Sequence, residues 1–202
     1  MLERGLSEKE VESTNSLENE AKKIDYYGDL LDVTEFNQIP EGNREICEDV
    51  LSGKLSYYDL NVHLPDLVYL PVRVAKILVF RDRDLGLESV REINLRIAKI
   101  LHFCRGKLIL NGIRFLSVEV AKELAKHRGE LCLRGVQEIN LELAKELSRH
   151  QGDLDLSGLK NVSAEVIQEL AKHQGKLYLR GLAGLNDNLV WELAQNGKIF
   201  LY

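Results

Sequence analysis

Three histidines recur at one interval, His127, His150 and His173, each two residues before a glycine. Imidazoles on neighbouring rungs of a repeat would lie close enough to share a metal ion. A metal site needs further ligands beside them, and the flanking rungs offer only Cys104 and Asn196. No second ligand type repeats with the histidines. The expectation is therefore no metal, with each ring serving carbonyl groups at a helix C-terminus. A Cys–His nucleophile is equally unsupported, because Cys132 would face outward from a strand with the histidines at the far end of the helix. No glycine-rich phosphate loop precedes a helix at the required spacing, and the glycines read as turn residues. No catalytic residue, metal or cofactor is expected.

Composition narrows the classes further. The chain has 202 residues and a net charge of −5. A mild acidic excess argues against a nucleic-acid partner, which would need a basic face. No apolar run approaches the roughly 18 residues of a membrane span. The opening MLERGLSEKEVES is polar, with no apolar signal region. Cys47, Cys104 and Cys132 are odd in number and thinly spread, so they form neither a disulfide framework nor a CxxC metal pair. They read as small apolar residues of a reducing compartment, and the expected location is cytoplasmic.

The interval itself is the strongest signal. Gly106, Gly129, Gly152 and Gly175 step by 23 residues, and so do Gly112, Gly135, Gly158 and Gly181. A fixed period of this size marks a repeat architecture. Apolar columns keep the same step and reach further back. One is leucine throughout: Leu78, Leu101, Leu124, Leu147, Leu170 and Leu193. Others run Leu64, Leu87, Leu110, Leu133, Leu156, Leu179, and Leu85, Leu108, Leu131, Leu154, Leu177. The last step is 22, because one residue is missing before Gly197.

Each unit has two halves. LDL at 154–156 alternates apolar and polar, the mark of a short strand. In 162–173, Val166, Ile167, Leu170 and Ala171 share one helical face. Asn94, Ser117, Asn140, Ser163 and Asn186 stand where an N-cap is needed, and Glu119, Glu142 and Glu165 follow in the first turn. One strand and one helix cannot bury their apolar faces alone, whereas stacked copies can. Strands stack at about 4.8 Å and helices need about 8–10 Å between axes, so the array must curve with its strands inside.

The segment LDLSGLKNVSAEVIQELAKH (154–173), read as L-x-L-x-x-L-x-x-V before an amphipathic helix, resembles the leucine-rich repeat family. It is most similar to the cysteine-containing type. Where that type carries a Cys or Asn ladder after the strand, this chain has Ile113, Val136, Leu159 and Leu182. The resemblance covers roughly residues 60–202. It implies an α/β right-handed solenoid, with parallel strands on the concave face and helices on the convex face. It is nearly silent on function, because the fold is a scaffold for many sites.

The first third lacks the period. Residues 1–25 are charged and poor in aromatics, and read as a disordered tail. Residues 26–60 read as a mainly helical N-terminal cap, with Ile46, Cys47, Val50 and Leu51 on one helical face and Tyr57 and Tyr58 beside the first strand. Residues 61–202 hold about six repeats and a terminal strand.

Outward strand positions change while the core columns repeat. They include Lys107 and Asn111; Glu130, Cys132 and Arg134; Asp153, Asp155 and Ser157; and Lys176, Tyr178 and Arg180. Such a face suits a protein partner. Alanine at Asp155 or Tyr178 is expected to cost little, against about 2–5 kcal/mol at Leu147 or Leu170. The expected function is a non-catalytic protein–protein interaction module that binds on its concave sheet. The alternative is an N-terminal fragment or recognition domain of a larger receptor, effector or ligase adaptor, and an enzyme is the remote third. The final stretch KIFLY is a strand, and Trp191, Phe200 and Tyr202 gather aromatic surface near it. Homodimerisation through that edge, or a further repeat downstream, is expected.

Overall fold

The computed structural model describes residues 39–52, 62–64, 66–80, 83–182 and 197–201, with backbone alone at 62–63. All belong to one unit, Gln38–Tyr202. The proposed tail, much of the proposed cap (including Tyr57 and Tyr58), and Asn186, Trp191, Leu193, Asn196 and Tyr202 lie outside the described residues.

Strands and helices alternate. In order they are α1 (Glu41–Leu51), β1 (Val62–His63), α2 (Val72–Val79), β2 (Leu85–Gly86), α3 (Leu95–Leu101), β3 (Leu108–Ile109), α4 (Val118–Leu124), β4 (Leu131–Cys132), α5 (Leu141–Leu147), β5 (Leu154–Asp155), α6 (Ala164–Leu170), β6 (Leu177–Tyr178) and β7 (Ile199–Phe200). Among the described residues the strands form one sheet of seven in sequence order, every pairing parallel. Val62 pairs with Leu85, Leu85 with Leu108, Leu108 with Leu131, Leu131 with Leu154 and Leu154 with Leu177. The last register joins Leu177 to Ile199, so the sheet absorbs the 22-residue step without a slip. A slip by one residue would turn every core leucine to the other face.

The leucine columns form the core. Leu101, Leu124, Leu147 and Leu170 of the helices, and Leu87, Leu110, Leu133, Leu156 and Leu179 beside the strands, are all fully buried. Each helix packs on the next from α1 through α6. Helices α3 to α6 have only seven residues each, too short to persist alone in water. Stacking on the leucine core holds them, and side-chain caps fix their starts. Asn94, Ser117, Asn140 and Ser163 accept from the backbone N–H of Ile97, Val120, Leu143 and Val166, three residues on.

Two expectations change. The glycines close the joints between units as well as serving turns. A Cβ on Gly158 would collide with the Arg134 carbonyl, and one on Gly152 with the Gly129 carbonyl. The backbones of successive units approach too closely for any side chain there. The helices also end sooner than the 162–173 pattern implies. α6 stops at Leu170, with Ala171 as its C-cap, so His173 lies in the turn beyond.

α1 joins the array through one polar residue. Asn43 is buried; its Nδ2 donates to the Asp66 carbonyl at 2.6 Å, and its Oδ1 accepts from Val68 N at 3.1 Å and Tyr69 N at 3.3 Å. Cys47 and Val50 are buried with it, while Ile46 and Leu51 pack against the core from its margin.

Candidate interaction surface

The sheet face turned away from the leucines carries three columns. The residue before each strand gives the first, the second strand residue the next, and the position two further on the third. In the first column the acids do more than decorate. Asp84 accepts from the Lys107 backbone N–H at 2.8 Å, and Asp153 from that of Lys176 at 3.0 Å. In the third column Asn111 accepts from the Arg134 N–H at 3.2 Å. Each spans one unit, so each ties a repeat to its successor. Asn111 and Asp153 were expected to serve a partner; part of each side chain already serves the fold.

Two outward residues are not accessible, against expectation. Cys132 is 1% exposed and Asp155 3%. Glu130 Oε1 reaches Lys107 Nζ at 2.7 Å and accepts from the Cys132 thiol at 3.3 Å, so an ion pair closes over the cysteine. Its hydrogen bond to Glu130 raises Lys107 above the ordinary lysine value. Arg134 Nε donates to Asp155 Oδ2 at 2.7 Å, and Asp155 Oδ1 accepts from Ser157 N at 3.0 Å. Burial works to raise the Asp155 carboxyl, but the bonds from Ser157 and Arg134 prevail and hold it below its usual value. Asp155 is a floor to the surface, and Arg134, 52% exposed, covers it.

The face differs at its β6–β7 end. Tyr178 and Phe200 stack with centroids 5.0 Å apart and planes 22° from parallel. The Arg180 guanidinium lies 5.2 Å from the Tyr178 ring centre, in cation–π range. Lys176 and Arg180 are exposed beside this stack. An aromatic platform with cations at its rim is the kind of surface that anchors a partner.

The histidines form a separate column in the segments between helix and strand. His127, His150 and His173 are buried, and their rings stack at 5.9 Å on each step. None of them bonds to a carbonyl of its own helix end, the role expected of them, and His150 reaches back one unit. His150 Nε2 lies 3.0 Å from the Gly129 carbonyl and Nδ1 3.4 Å from that of Ala125. The shorter contact assigns the N–H to Nε2. The ring nitrogens of His127 and His173 are buried without a hydrogen-bond partner, beside the backbone of Glu130, Cys104, His102 and Gly106 for His127 and of Ser148 and Gly152 for His173. At an effective dielectric near 20, two charges at this spacing would repel by about 3 kcal/mol. One signal for this burial stood in the sequence: the rung before His127 is Cys104, a residue type found mostly in cores, and its thiol donates to the Arg83 carbonyl at 3.7 Å.

All three thiols are free and buried. Burial first, then neighbouring acids, pushes Cys47 up to about 11 and Cys132 up to about 12, so neither is a thiolate at neutral pH. Among the described residues no group of three His, Cys, Asp or Glu side chains is placed to hold a metal ion. Among them, too, no helix is long and apolar enough to cross a membrane. No protein-family model, no curated protein and no solved structure matches the chain.

Proposed function

We propose that this chain is a non-catalytic interaction module: a right-handed leucine-rich-repeat solenoid with a mainly helical N-terminal cap, binding a protein partner on a concave sheet face. The observation that carries the reading is the Tyr178–Phe200 stack with Arg180 against it, set on a sheet whose opposite face is a uniform leucine core. The repeated side builds the fold, and the varied side is free to differ from unit to unit. Lys107, Asn111, Glu130, Arg134, Asp153, Ser157, Lys176, Tyr178 and Arg180 form the proposed contact area, with Asp155 beneath it. The buried, free cysteines accord with a reducing, cytoplasmic setting, and the module acts alone or as the recognition part of a larger protein.

The test is partner capture by the native chain and by a Lys176→Glu, Tyr178→Ala, Arg180→Glu variant that melts normally. Loss of the partner in the variant supports the sheet face. Capture that survives it, yet is lost on changing Lys122, Lys145 and Gln168 on the helices, places the contact on the other side.

β7 favours a second reading, because among the described residues it pairs with β6 alone. A homodimer would pair β7 with its copy, with Phe200 at the edge. A strictly monomeric species in sedimentation at micromolar concentration, unchanged by Phe200→Ser, removes that reading.

A further inference from the structure

Three buried imidazoles stand stacked in consecutive helix-to-strand turns, and the sheet-face reading uses none of them. His127 lies between α4 and β4, His150 between α5 and β5, and His173 between α6 and β6. The rings are 5.9 Å apart on both steps and within 11° of parallel. Both nitrogens of His150 face carbonyls of the preceding turn. A neutral ring donates to only one of them, whereas a protonated ring would donate to both. The turn thus has partners for a cation, but burial and the two neighbouring rings oppose one. Like charges at this spacing would repel across each adjacent pair.

The surrounding groups do not relieve the conflict. Beside His127 the next rung is the neutral thiol of Cys104, and Glu130 offers its backbone. His102 is itself held low, by burial before all else, although Glu123 lies 3.6 Å from its Nδ1. Near His173, Asp153 favours the charged ring and Lys198 opposes it.

We propose that the His127–His150–His173 stack is an acid-sensitive latch: proton uptake by these rings parts the turns that lead into β4, β5 and β6 and dismantles the sheet there. The direction follows from linkage. Burial first, then the neighbouring rings, lowers His150 to about 4, and burial lowers His127 and His173 in the same direction. The unfolded chain takes up these protons near pH 6.5. Stability from the stack is complete above about pH 6.5 and is lost as the pH falls toward about 4. His102 acts in the same direction, while the low-held carboxyls of Glu123 and Asp155 act beneath the ordinary carboxylate range.

Cys104 shows how to break the latch without emptying the column. Its thiol donates to the carbonyl 21 residues back, the same relation as His150 to Gly129, and it takes up no proton in acid. Urea unfolding of the full chain, followed by far-UV circular dichroism between pH 7 and 4.5, is the test. The unfolding constant should climb as the pH falls below 6, by at most about tenfold per unit for each ring that the fold keeps neutral. A His127→Cys, His150→Cys, His173→Cys variant should lose that climb except for the share of His102. His150→Cys alone should reduce it by about tenfold per unit, and carries the test if the triple variant does not fold. Proton NMR should place the ladder Cε1–H midpoints below 6.5 in the folded chain, that of His150 lowest. Midpoints near 6.5 with unchanged dichroism, or a climb undiminished in His150→Cys, overturn the latch.

Discussion

Arg134 lies over Asp155 with its Nε 2.7 Å from Oδ2, and both residues belong to the face turned away from the leucine core. The pair crosses from one repeat to the next, so it is a joint as well as a surface feature. Asp155→Ala removes a buried acceptor from both Arg134 and Ser157. It is expected to lower unfolding stability by about 1–3 kcal/mol in urea melts. Arg134→Ala should cost less, within about 1 kcal/mol, because water reaches half of that side chain.

The same carboxyl sets a pH dependence of its own. It is held below the usual value, so its contribution is full above about pH 4 and is lost as acid titrates it. Asp155→Asn should flatten the stability curve beneath pH 4 while leaving the histidine range above pH 5 unchanged, as read by denaturant midpoints.

Leu147→Ala or Leu170→Ala opens a cavity in the column shared by adjacent units. A loss of about 2–5 kcal/mol is expected. Tyr178→Ala, on the opposite face, should cost about 0.5–1.5 kcal/mol, the worth of one aromatic pair. Melts that reverse this order would exchange the two faces.

Gly158→Ala puts a methyl group against the Arg134 carbonyl. A cost of about 1–3 kcal/mol is expected from the forced backbone shift. Asn140→Ala, by loss of the cap on Leu143 N, should cost about 1 kcal/mol. Both are measured by the shift in denaturant midpoint at constant slope.

The parts legible in the sequence were those that one unit dictates to the next at a fixed step. Leu124 and Leu147 occupy one environment repeated, so their spacing predicts their burial, and Ser117 or Asn140 marks a helix start by local chemistry. The buried state of Cys132 and Asp155 was not legible. Alternation places both outward, and what hides them is a side chain from another position, Glu130 with Lys107 over one and Arg134 over the other. His150 was misplaced for a related reason. Its pattern extends the helix by apolar periodicity, but α5 ends at Leu147, and the ring swings back to the turn of the preceding unit.

Gly129, Gly152 and Gly175 each meet the carbonyl of the glycine one unit back, at Gly106, Gly129 and Gly152 in turn. Bare backbone therefore touches bare backbone along one edge of the array. Side chains yield by changing rotamer, whereas peptide planes in contact do not. That edge resists shortening like a closed seam. Gly135, Gly158 and Gly181 form a second such line, so compliance in the array must come from the helices, which meet through pliable side chains. A load that bends the array toward the glycines should fan the helices apart, because the line of glycines cannot shorten.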